Sequence, residues 1–409
     1  MENIENKIPN GENQDTQNSS FFSENVSSSN GLEPKLRFPN FIEKWTRFEA
    51  ENIFKNITDK NHPTDTVLTI QQGRGTLPRD LSGRNILYDN TNTKNYKRVQ
   101  FGDFIIHLRS FEGGLEMANE QGIVSPAYTI LRYIKPIAFG FYKAYFRTNE
   151  FINHILSKSV EGIRDGKQIS YDAFKWLAIP YCQLEEQQKI ADFLSLVDQR
   201  IEKQRQLVES LKKYKRGLLS AIFDRKLRFK DTDFSLWKNV RLSECCLGFD
   251  NKRQPISSEL REKGTVPYYG ANGIQDYVKD YIFDGEYILL AEDGGHFDEF
   301  QTKPIAQYIT GKSWVNNHAH ILQATEKDCT KYIYYALVHK DIRKYINGSS
   351  RAKLNQEDMW QIVILLPNLK QQIKIAQFMS SIDKILSIEE KMLTVLEEKK
   401  QGLLQQMFI

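Results

Sequence analysis

The chain has 409 residues, of which 40% are hydrophobic and 26% charged, a composition typical of a folded protein of two or three domains. It has no run of eighteen apolar residues and begins with a polar segment, so we expect neither a membrane span nor a signal peptide, and a cytoplasmic location. The four cysteines form no C-x-x-C pair, so neither a disulfide framework nor a zinc site is predicted.

The charge is unevenly distributed along the chain. Residues 1–31 carry five acidic side chains and one lysine, a net charge of −4, whereas the whole chain carries +4. The remainder therefore carries +8, which permits a polyanionic partner without requiring one. Because residues 1–33 contain few large apolar groups, we predict a disordered polar tail there.

A first α/β domain is predicted over residues 34–180, opening with Leu36-Arg37-Phe38 and Trp45. Candidate strands cover residues 67–70, 98–108, 124–133 and 177–179. Turn signals lie at Gly73-Arg74-Gly75 and at 113–114, and a helix is predicted over 141–157.

The segment after this domain, residues 184–223, is repeated 185 positions later as residues 369–408. The two copies align without a gap and share fourteen identical residues. Both follow one heptad frame, which predicts two long coiled-coil helices within the spacer regions 181–226 and 368–409. The predicted helix-pair interface consists of Ile190, Leu194, Val197, Ile201, Val208, Leu211, Leu218, Ile222, Ile375, Met379, Ile382, Leu386, Leu393, Leu396, Leu403 and Met407.

Polar residues interrupt the heptads at the same places in both copies, Gln204/Glu389 and Lys215/Lys400. Such interruptions commonly set register and partner choice. The alternative, that their stems simply extend to water and specify nothing, stays equally open.

A second domain is predicted over residues 227–367, and it repeats the opening of the first in Leu227-Arg228-Phe229 and Trp237. Candidate strands cover residues 287–291, 304–309 and 319–322, with a turn at 270–273 and a helix over 328–346. A glycine-containing basic loop closes each domain, at 162–167 and at 348–353. The chain therefore reads as one domain-helix unit written twice.

Chain length predicts how the two helices are arranged. A helix of about 39 residues is roughly 58 Å long, whereas a domain of this size has a radius of gyration of roughly 14 Å. The second helix must then begin near the end of the first and run back along it. We predict an α+β protein in which two globular domains are separated by two long antiparallel helices with pseudo-two-fold symmetry.

The catalytic motifs that we searched for are absent from the sequence. Gly311-Lys312-Ser313 resembles the end of a phosphate-binding loop, but Ala306 stands where its first glycine belongs. His318 and His320 lack further ligands at recognisable spacing, so we predict no metal site. Glu292-Asp293 is interpreted as a charged loop and not as a nuclease centre. We expect a chain without catalytic activity of its own.

The side chains that hold phosphates and recognise base edges include arginine, lysine and asparagine. Each candidate alone fits an ordinary surface residue better, and the basic loops that occur in both domains are the stronger candidates. The candidate DNA contacts are Arg74, Arg79, Arg84, Lys97, Arg98, Arg109, Arg164, Lys167, Tyr268, Tyr269, Asn272, Asn316, Asn317, His318, Arg351 and Lys353.

The duplicated Leu-x-x-Gln-x-x-Ile-Ala-x-Phe element, which continues to a Gly-Leu-Leu near each helix end, resembles the conserved regions of Type I restriction-modification specificity subunits. The segments 266–273, 281–287 and 314–320 resemble second recognition domains of that family. The similarity extends over everything after about residue 34. The acidic tail departs from the family's usual short N-terminus.

The resemblance implies a non-catalytic subunit whose two target recognition domains each read one half of a bipartite DNA sequence. The helix pair would set the spacer between the halves and dock two modification subunits, which bind S-adenosylmethionine and methylate adenine. Two restriction subunits would use ATP and Mg²⁺, so no cofactor is expected on this chain.

Two other classes of function remain open from the residues alone. A coiled-coil scaffold whose terminal domains bind proteins or glycans would explain the repeat but not the duplicated basic loops. A single-chain nuclease or methyltransferase would require activity from the purified chain alone.

Overall fold

The computed structural model describes residues 32–82, 90–106, 114–159, 169–227, 229, 237–348 and 352–408. The chain forms two compact units: unit 1 contains Met1–Gln199 and Glu397–Ile409, and unit 2 contains Arg200–Leu396. The two long helices are α3, Leu184–Phe223, with 40 residues, and α7, Leu369–Met407, with 39 residues, which confirms the two long helices predicted from the repeat. Each unit therefore contains one end of each long helix.

Unit 1 is built on an antiparallel sheet of four strands in the order β2 (Phe54–Ile57), β9 (Thr129–Tyr133), β6 (Phe104–Ile106) and β7 (Glu116–Met117). Two further antiparallel pairs are β3 (Leu68–Gln71) with β4 (Gly75–Pro78), and β5 (Lys97–Val99) with β8 (Gly122–Val124). Short helices lie at α1, Phe139–Tyr145, and α2, Tyr171–Phe174. Its main core is aromatic, with Phe54, Phe104, Phe141, Tyr142 and Phe146 fully buried.

Three predicted elements of unit 1 are wrong in extent. The single strand over residues 98–108 is broken after β5, because Gly102 turns the chain with a φ of +88° before β6 begins. The strand over 124–133 is likewise two strands, β8 and β9, with a turn between them. The helix over 141–157 ends at Tyr145 as an α-helix, and separate turns of π-helix and 3₁₀-helix follow at Glu150–Ile155 and Leu156–Ser159.

Unit 2 contains a six-stranded sheet in the order β12 (Cys246–Gly248), β17 (Ala319–Ala324), β15 (Phe283–Ala291), β16 (Ala306–Val315), β13 (Lys263–Gly270) and β14 (Gly273–Val278). All neighbours are antiparallel except β13 and β16. The predicted helix over 328–346 is shorter than expected, since α5 covers Thr330–Leu337 only. The smaller elements are α4 (Leu242–Cys245), β18 (Ile346–Asn347), β19 (Lys353–Leu354) and α6 (Gln356–Trp360).

The same pair of strands joins each globular domain to its helix. In unit 1 the strand β1, Thr46–Glu49, pairs with β10, Ala178–Tyr181, which leads into α3. In unit 2 β11, Lys238–Arg241, pairs with β20, Val363–Leu366, which leads into α7. The tryptophans that the repeat singled out, Trp45 and Trp237, are both buried directly before the first of these strands.

The repeated glutamine at the start of each long helix fastens that helix to its domain. Gln187 is fully buried, accepts the Ala138 N–H at 3.1 Å and donates to the Cys182 carbonyl at 2.8 Å. Gln372 accepts the Cys329 N–H at 2.8 Å in the same way. Both amides satisfy backbone groups that would otherwise be buried without partners, which explains why the two copies share this residue.

None of the sixteen residues predicted for the helix-pair interface is exposed. Within unit 1, Ile190 and Leu194 of α3 belong to the same buried cluster as Met407 of α7. Within unit 2, Ile222 belongs to one cluster with Ile375 and Met379. The start of one helix thus shares a domain core with the end of the other. No helix in the described part of the chain is both long and apolar enough to cross a membrane.

Candidate nucleic-acid interface

The turn between β16 and β17 in unit 2 carries three of the candidate contact residues. Arg253 fixes its backbone by donating to the Ala319 carbonyl at 3.0 Å. The Asn316 side chain is buried inside the turn and accepts the His318 N–H at 2.8 Å. The turn is therefore held from below, while Asn317 and part of the His318 ring remain in contact with solvent.

A cleft of about 640 Å³ opens beside this turn. Its walls are residues 271–275, which form the β13–β14 turn and the start of β14, together with residues 293–295 after β15, His318 and Ala352. The Asn272 amide donates to the Gly294 carbonyl at 2.8 Å, and His318 Nδ1 lies 2.5 Å from Asp293 Oδ1. Amide, imidazole and carboxylate groups can form hydrogen bonds with the edges of bases. The groups around this cleft therefore have the chemistry needed to contact a base edge.

An ionic network supports the cleft from beneath. His320 is 1% exposed; its Nδ1 lies 2.6 Å from Asp250 Oδ2, and its Nε2 lies 2.8 Å from a backbone carbonyl. Asp250, Glu292 and His320 offer ligand atoms within 4.8 Å of one another, a spacing that would suit a metal ion. However, Arg253 pairs with both carboxylates, and Lys353 Nζ lies 3.1 Å from Glu292. These cations already balance the carboxylates, so we interpret the network as structural.

The network also lowers the pKa values of its two carboxyl groups. Burial by itself raises the pKa of Asp250, but the hydrogen bond and charge of His320, together with Arg253, lower it below its ordinary value. Burial likewise opposes ionisation of Glu292, and hydrogen bonds from Arg253 and Lys353 lower its pKa overall. Both groups are therefore held as carboxylates at neutral pH.

Two of the candidate contacts in unit 2 have buried side chains. Tyr268 is 1% exposed, its hydroxyl accepts the Ile256 N–H at 3.1 Å, and the Arg261 guanidinium stacks 4.2 Å from its ring centroid. Asn316 is 4% exposed; its Nδ2 donates to Gln275 Oε1 on β14 at 3.1 Å, and its Oδ1 accepts the His318 N–H. Both side chains form hydrogen bonds with the backbone of neighbouring segments and so support the surface loops. Tyr269 is half-buried.

Four candidates of unit 1 are described, and they differ in how free their side chains are. Arg74 is exposed at the tip of the β3–β4 hairpin, and Arg79 is half-buried just after it. Lys97 Nζ donates to the Tyr128 carbonyl at 2.6 Å, and burial with the nearby Lys60 lowers its pKa. Arg98 pairs with an aspartate at 2.9 Å. Lys97 and Arg98 thus already serve the fold of the domain.

The remaining candidates lie outside the described residues. They are Arg84, Arg109, Arg164, Lys167 and Arg351, and the predicted tail over residues 1–33 also lies outside except for its last two residues. The Arg and Lys of the first repeated basic loop are among them. These predictions are not tested by the structure.

The polar interruptions of the heptads form specific bonds within each unit. In unit 2, Lys215 Nζ lies 2.6 Å from Asp383 Oδ1, and in unit 1, Lys400 Nζ lies 2.6 Å from Asp198 Oδ1. These are the same pair, because 215 and 383 correspond to 400 and 198 in the repeat. The alternative in which these lysines specify nothing is therefore disfavoured.

The other interruption pairs a residue with its own counterpart. Gln204, which is 3% exposed, donates from Nε2 to the Glu389 carboxylate at 2.6 Å and to the Glu389 carbonyl at 3.1 Å. A residue can meet its equivalent in this way when two copies of one helix run antiparallel. The pairing fixes the register of the helices in unit 2.

Three residues that support the candidate interface carry no signal in the sequence. Arg253 supports a turn more than sixty positions away, and Gln275 pairs with Asn316 across 41 positions. Glu116 is buried beneath the β3–β4 hairpin in unit 1. No periodicity or motif marks these three residues, because their partners are distant in the chain.

Comparison with known proteins identifies the family. The family model for the Type I restriction modification DNA specificity domain matches residues 48–213 and 235–398. A putative type I restriction enzyme specificity subunit from Haemophilus influenzae is 37% identical over 151 residues, which is 37% of this chain and 38% of that protein. The putative MjaX specificity subunit from Methanocaldococcus jannaschii is 25% identical over 66% of this chain and 67% of its own length.

A solved structure shows the same fold. The S subunit of a Type-I restriction-modification system from M. genitalium aligns with a TM-score of 0.56 at 19% identity, covering 92% of this chain and 99% of that one. The sequence match to the Haemophilus relative spans well under half of that relative's length. Each of the two family matches covers most of one domain-helix repeat. Because together they cover most of the chain, the chain belongs to the family of Type I restriction modification DNA specificity domains.

Proposed function

We propose that this protein is the DNA-recognition subunit of a Type I restriction-modification complex and that each of its two recognition domains reads one half of a bipartite target. The observation that carries the proposal is that both domains are attached to their helices by the same structural frame, whereas the loops on the two domains differ. The parts of the frame that occur in both domains are the buried tryptophan, the strand pair (β1–β10 or β11–β20) and the buried glutamine (Gln187 or Gln372). The hairpins and turns that the frames carry differ, as two different half-sites require.

The candidate interface in the second domain consists of Asn272 and His318, which line the cleft, and the exposed Asn317 beside His318. Tyr269 and Lys353 complete the set, and the backbone of Lys353 pairs with Asp293 in the cleft wall. Their amide and imidazole groups suit base edges, whereas the lysine suits a phosphate. In the first domain, the exposed Arg74 leads the candidates. The domain boundaries that we propose remain 34–180 and 227–367.

The long helices are proposed to set the spacer and to dock the modification subunits. An exposed apolar stripe on α7 supports the docking role: Ile385, Ile388, Met392 and Val395 are between 41% and 61% exposed. Their spacing of three and four residues places them on one helix face. Apolar groups repeated along one face of a helix are typical of a surface that another helix covers.

The chemistry is proposed to lie on the partner subunits. Two modification subunits would bind S-adenosylmethionine and methylate adenine, and two restriction subunits would use ATP and Mg²⁺. A solved structure that shares this fold is described as concerning complex assembly of the type I R-M system. This chain would determine which DNA sequence is recognised, and the complex would act on DNA in the cytoplasm.

A domain exchange tests the reading of half-sites. Residues 36–180 are replaced by the corresponding domain of a relative, and the methylated adenines are mapped in cells that express the chain with its modification subunit. One half of the target should change while the other half and the spacer persist. A change in both halves, or in neither, would contradict the proposal.

The docking role has its own test. Ile388→Asp should prevent co-purification with the modification subunit, because a charge would be buried in the contact. Thr394→Lys is the matched control, since it lies on another face of α7. Normal assembly of the Ile388→Asp variant would refute the role of the stripe.

A further inference from the structure

The β3–β4 hairpin of unit 1 ends in a tip that requires glycine on both sides of an arginine. Gly73 and Gly75 each have a φ of +81°, a conformation that other residues rarely adopt. A Cβ on Gly75 would lie 2.4 Å from the Met117 carbonyl oxygen, so the hairpin approaches β7 too closely for any side chain. Arg74 stands between the two glycines and is exposed.

A buried carboxylate holds this tip. Glu116 is 1% exposed, and its two oxygens accept the N–H of Gly73 at 2.7 Å and the N–H of Gly75 at 2.9 Å. Arg147 Nη2 lies 2.5 Å from the same carboxylate and balances its charge. Hydrogen bonds to a charged group are stronger than those between neutral groups, so Glu116 ties both ends of the tip to the sheet.

Asn119 holds the hairpin from a second side. Its Nδ2 donates to the Arg74 carbonyl at 2.6 Å and to the Thr76 carbonyl at 3.0 Å, and its own N–H donates to Thr76 Oγ1 at 2.9 Å. The backbone of Arg74 is therefore fixed on both flanks before any partner arrives. A group fixed in advance loses little conformational entropy when it binds.

The tip presents three exposed polar side chains, Gln71, Gln72 and Arg74. None of the three forms a side-chain hydrogen bond or ion pair within the part of the chain that the structure describes. Arginine bonds guanine and glutamine bonds adenine through two parallel hydrogen bonds in the major groove. The hairpin thus combines a rigid backbone with uncommitted groups of base-reading chemistry.

We propose that the β3–β4 hairpin is a preformed base-reading finger of the first recognition domain, in which Arg74 and Gln72 contact purine edges and Glu116 is the positioning residue. This inference rests on the proposed function and names the element that reads one part of one half-site. It differs from a phosphate contact, because a phosphate contact would not change which bases are selected.

The experiment uses the full chain in complex with its modification subunit. Methylated adenines are mapped in cells, and binding to cognate and scrambled duplexes is measured. Arg74→Ala should relax one base position in one half-site and lower cognate affinity roughly 5- to 150-fold, the range for loss of one bidentate base contact. Binding to the scrambled duplex should change much less.

Glu116→Gln should relax the same base position as Arg74→Ala, because the amide cannot accept from both glycine N–H groups. Combined with Arg74→Ala it should cause no further relaxation. A merely structural role for Glu116 would lower stability without moving that position. Lys55→Ala is the matched control, since Lys55 is an exposed cation of unit 1 that belongs to β2 and not to the hairpin.

The outcomes separate the finger from the function. If Arg74→Ala and Gln72→Ala both leave every position of the target unchanged in an assembled, active complex, the finger is refuted and the proposed function stands. If the unaltered complex shows no sequence-selective methylation, the proposed function itself fails. Should Glu116→Gln not fold, the two surface substitutions still decide the proposal.

Discussion

Breaking the Lys215–Asp383 pair should weaken the packing of α3 on α7 in unit 2. Nζ and Oδ1 are 2.6 Å apart, and the two side chains are 15% and 33% exposed. Asp383 also accepts the Tyr335 hydroxyl at 2.5 Å, which holds the carboxylate in place. At an effective dielectric constant near 20 the Coulomb attraction is about 6 kcal/mol, and partial desolvation opposes most of it. We expect a net coupling of about 1–2 kcal/mol.

The assay is a double-mutant cycle with Lys215→Met, Asp383→Asn and the double substitution, followed by thermal unfolding. Methionine retains the apolar stem of the lysine, so the cycle isolates the charge. For a domain of this size each kcal/mol corresponds to about 2–4 °C in Tm. The Lys215→Met variant should therefore melt about 2–8 °C lower.

A more exposed ion pair on the same helices provides the internal comparison. Lys212 Nζ lies 3.2 Å from Glu390, with side chains 37% and 46% exposed. Solvent screening limits such a pair to roughly 0.2–1 kcal/mol, so its coupling should be the smaller of the two. Additive single substitutions at Lys215 and Asp383, or equal coupling in both cycles, would refute the reasoning.

Three further predictions concern the stability of the two units. The pKa values of Asp250 and Glu292 in the folded protein lie below the ordinary 3.8 and 4.5. The stabilisation from these two carboxylates is therefore complete above the ordinary pKa values and is lost as the pH falls through the folded pKa values. Tm should stay constant down to about pH 5 and then fall, and Asp250→Asn should make that fall less steep. Glu186→Gln should destabilise unit 1 by about 3 kcal/mol or more, measured by denaturant unfolding, because Arg37 loses its buried partner; a change within 0.5 kcal/mol would contradict this. Gly140→Ala should lower Tm, since its Cβ would lie 2.8 Å from a side chain of α3, whereas the same substitution at Gly402, which has open space, should not.

The sequence predicted the repeated parts of the molecule well. The repeat located both long helices within the predicted regions 181–226 and 368–409, because helical periodicity is a local property of the chain. The shared Gln187 and Gln372 proved to perform the same fastening task. Elements inside the domains were predicted less well, as the broken strand around Gly102 and the early end of α1 show. The positions of turns there depend on tertiary packing and not on a periodic pattern in the sequence.

The sequence by itself determined the duplication, the two long helices and their antiparallel arrangement. Each of these follows from spacing along one chain. The tertiary structure alone decided which polar groups face solvent and which serve the interior: it buried Tyr268 and Asn316, and it set Glu116 beneath the tip that carries Arg74. Those roles depend on partners many positions away, and only the folded chain brings such partners within hydrogen-bonding distance.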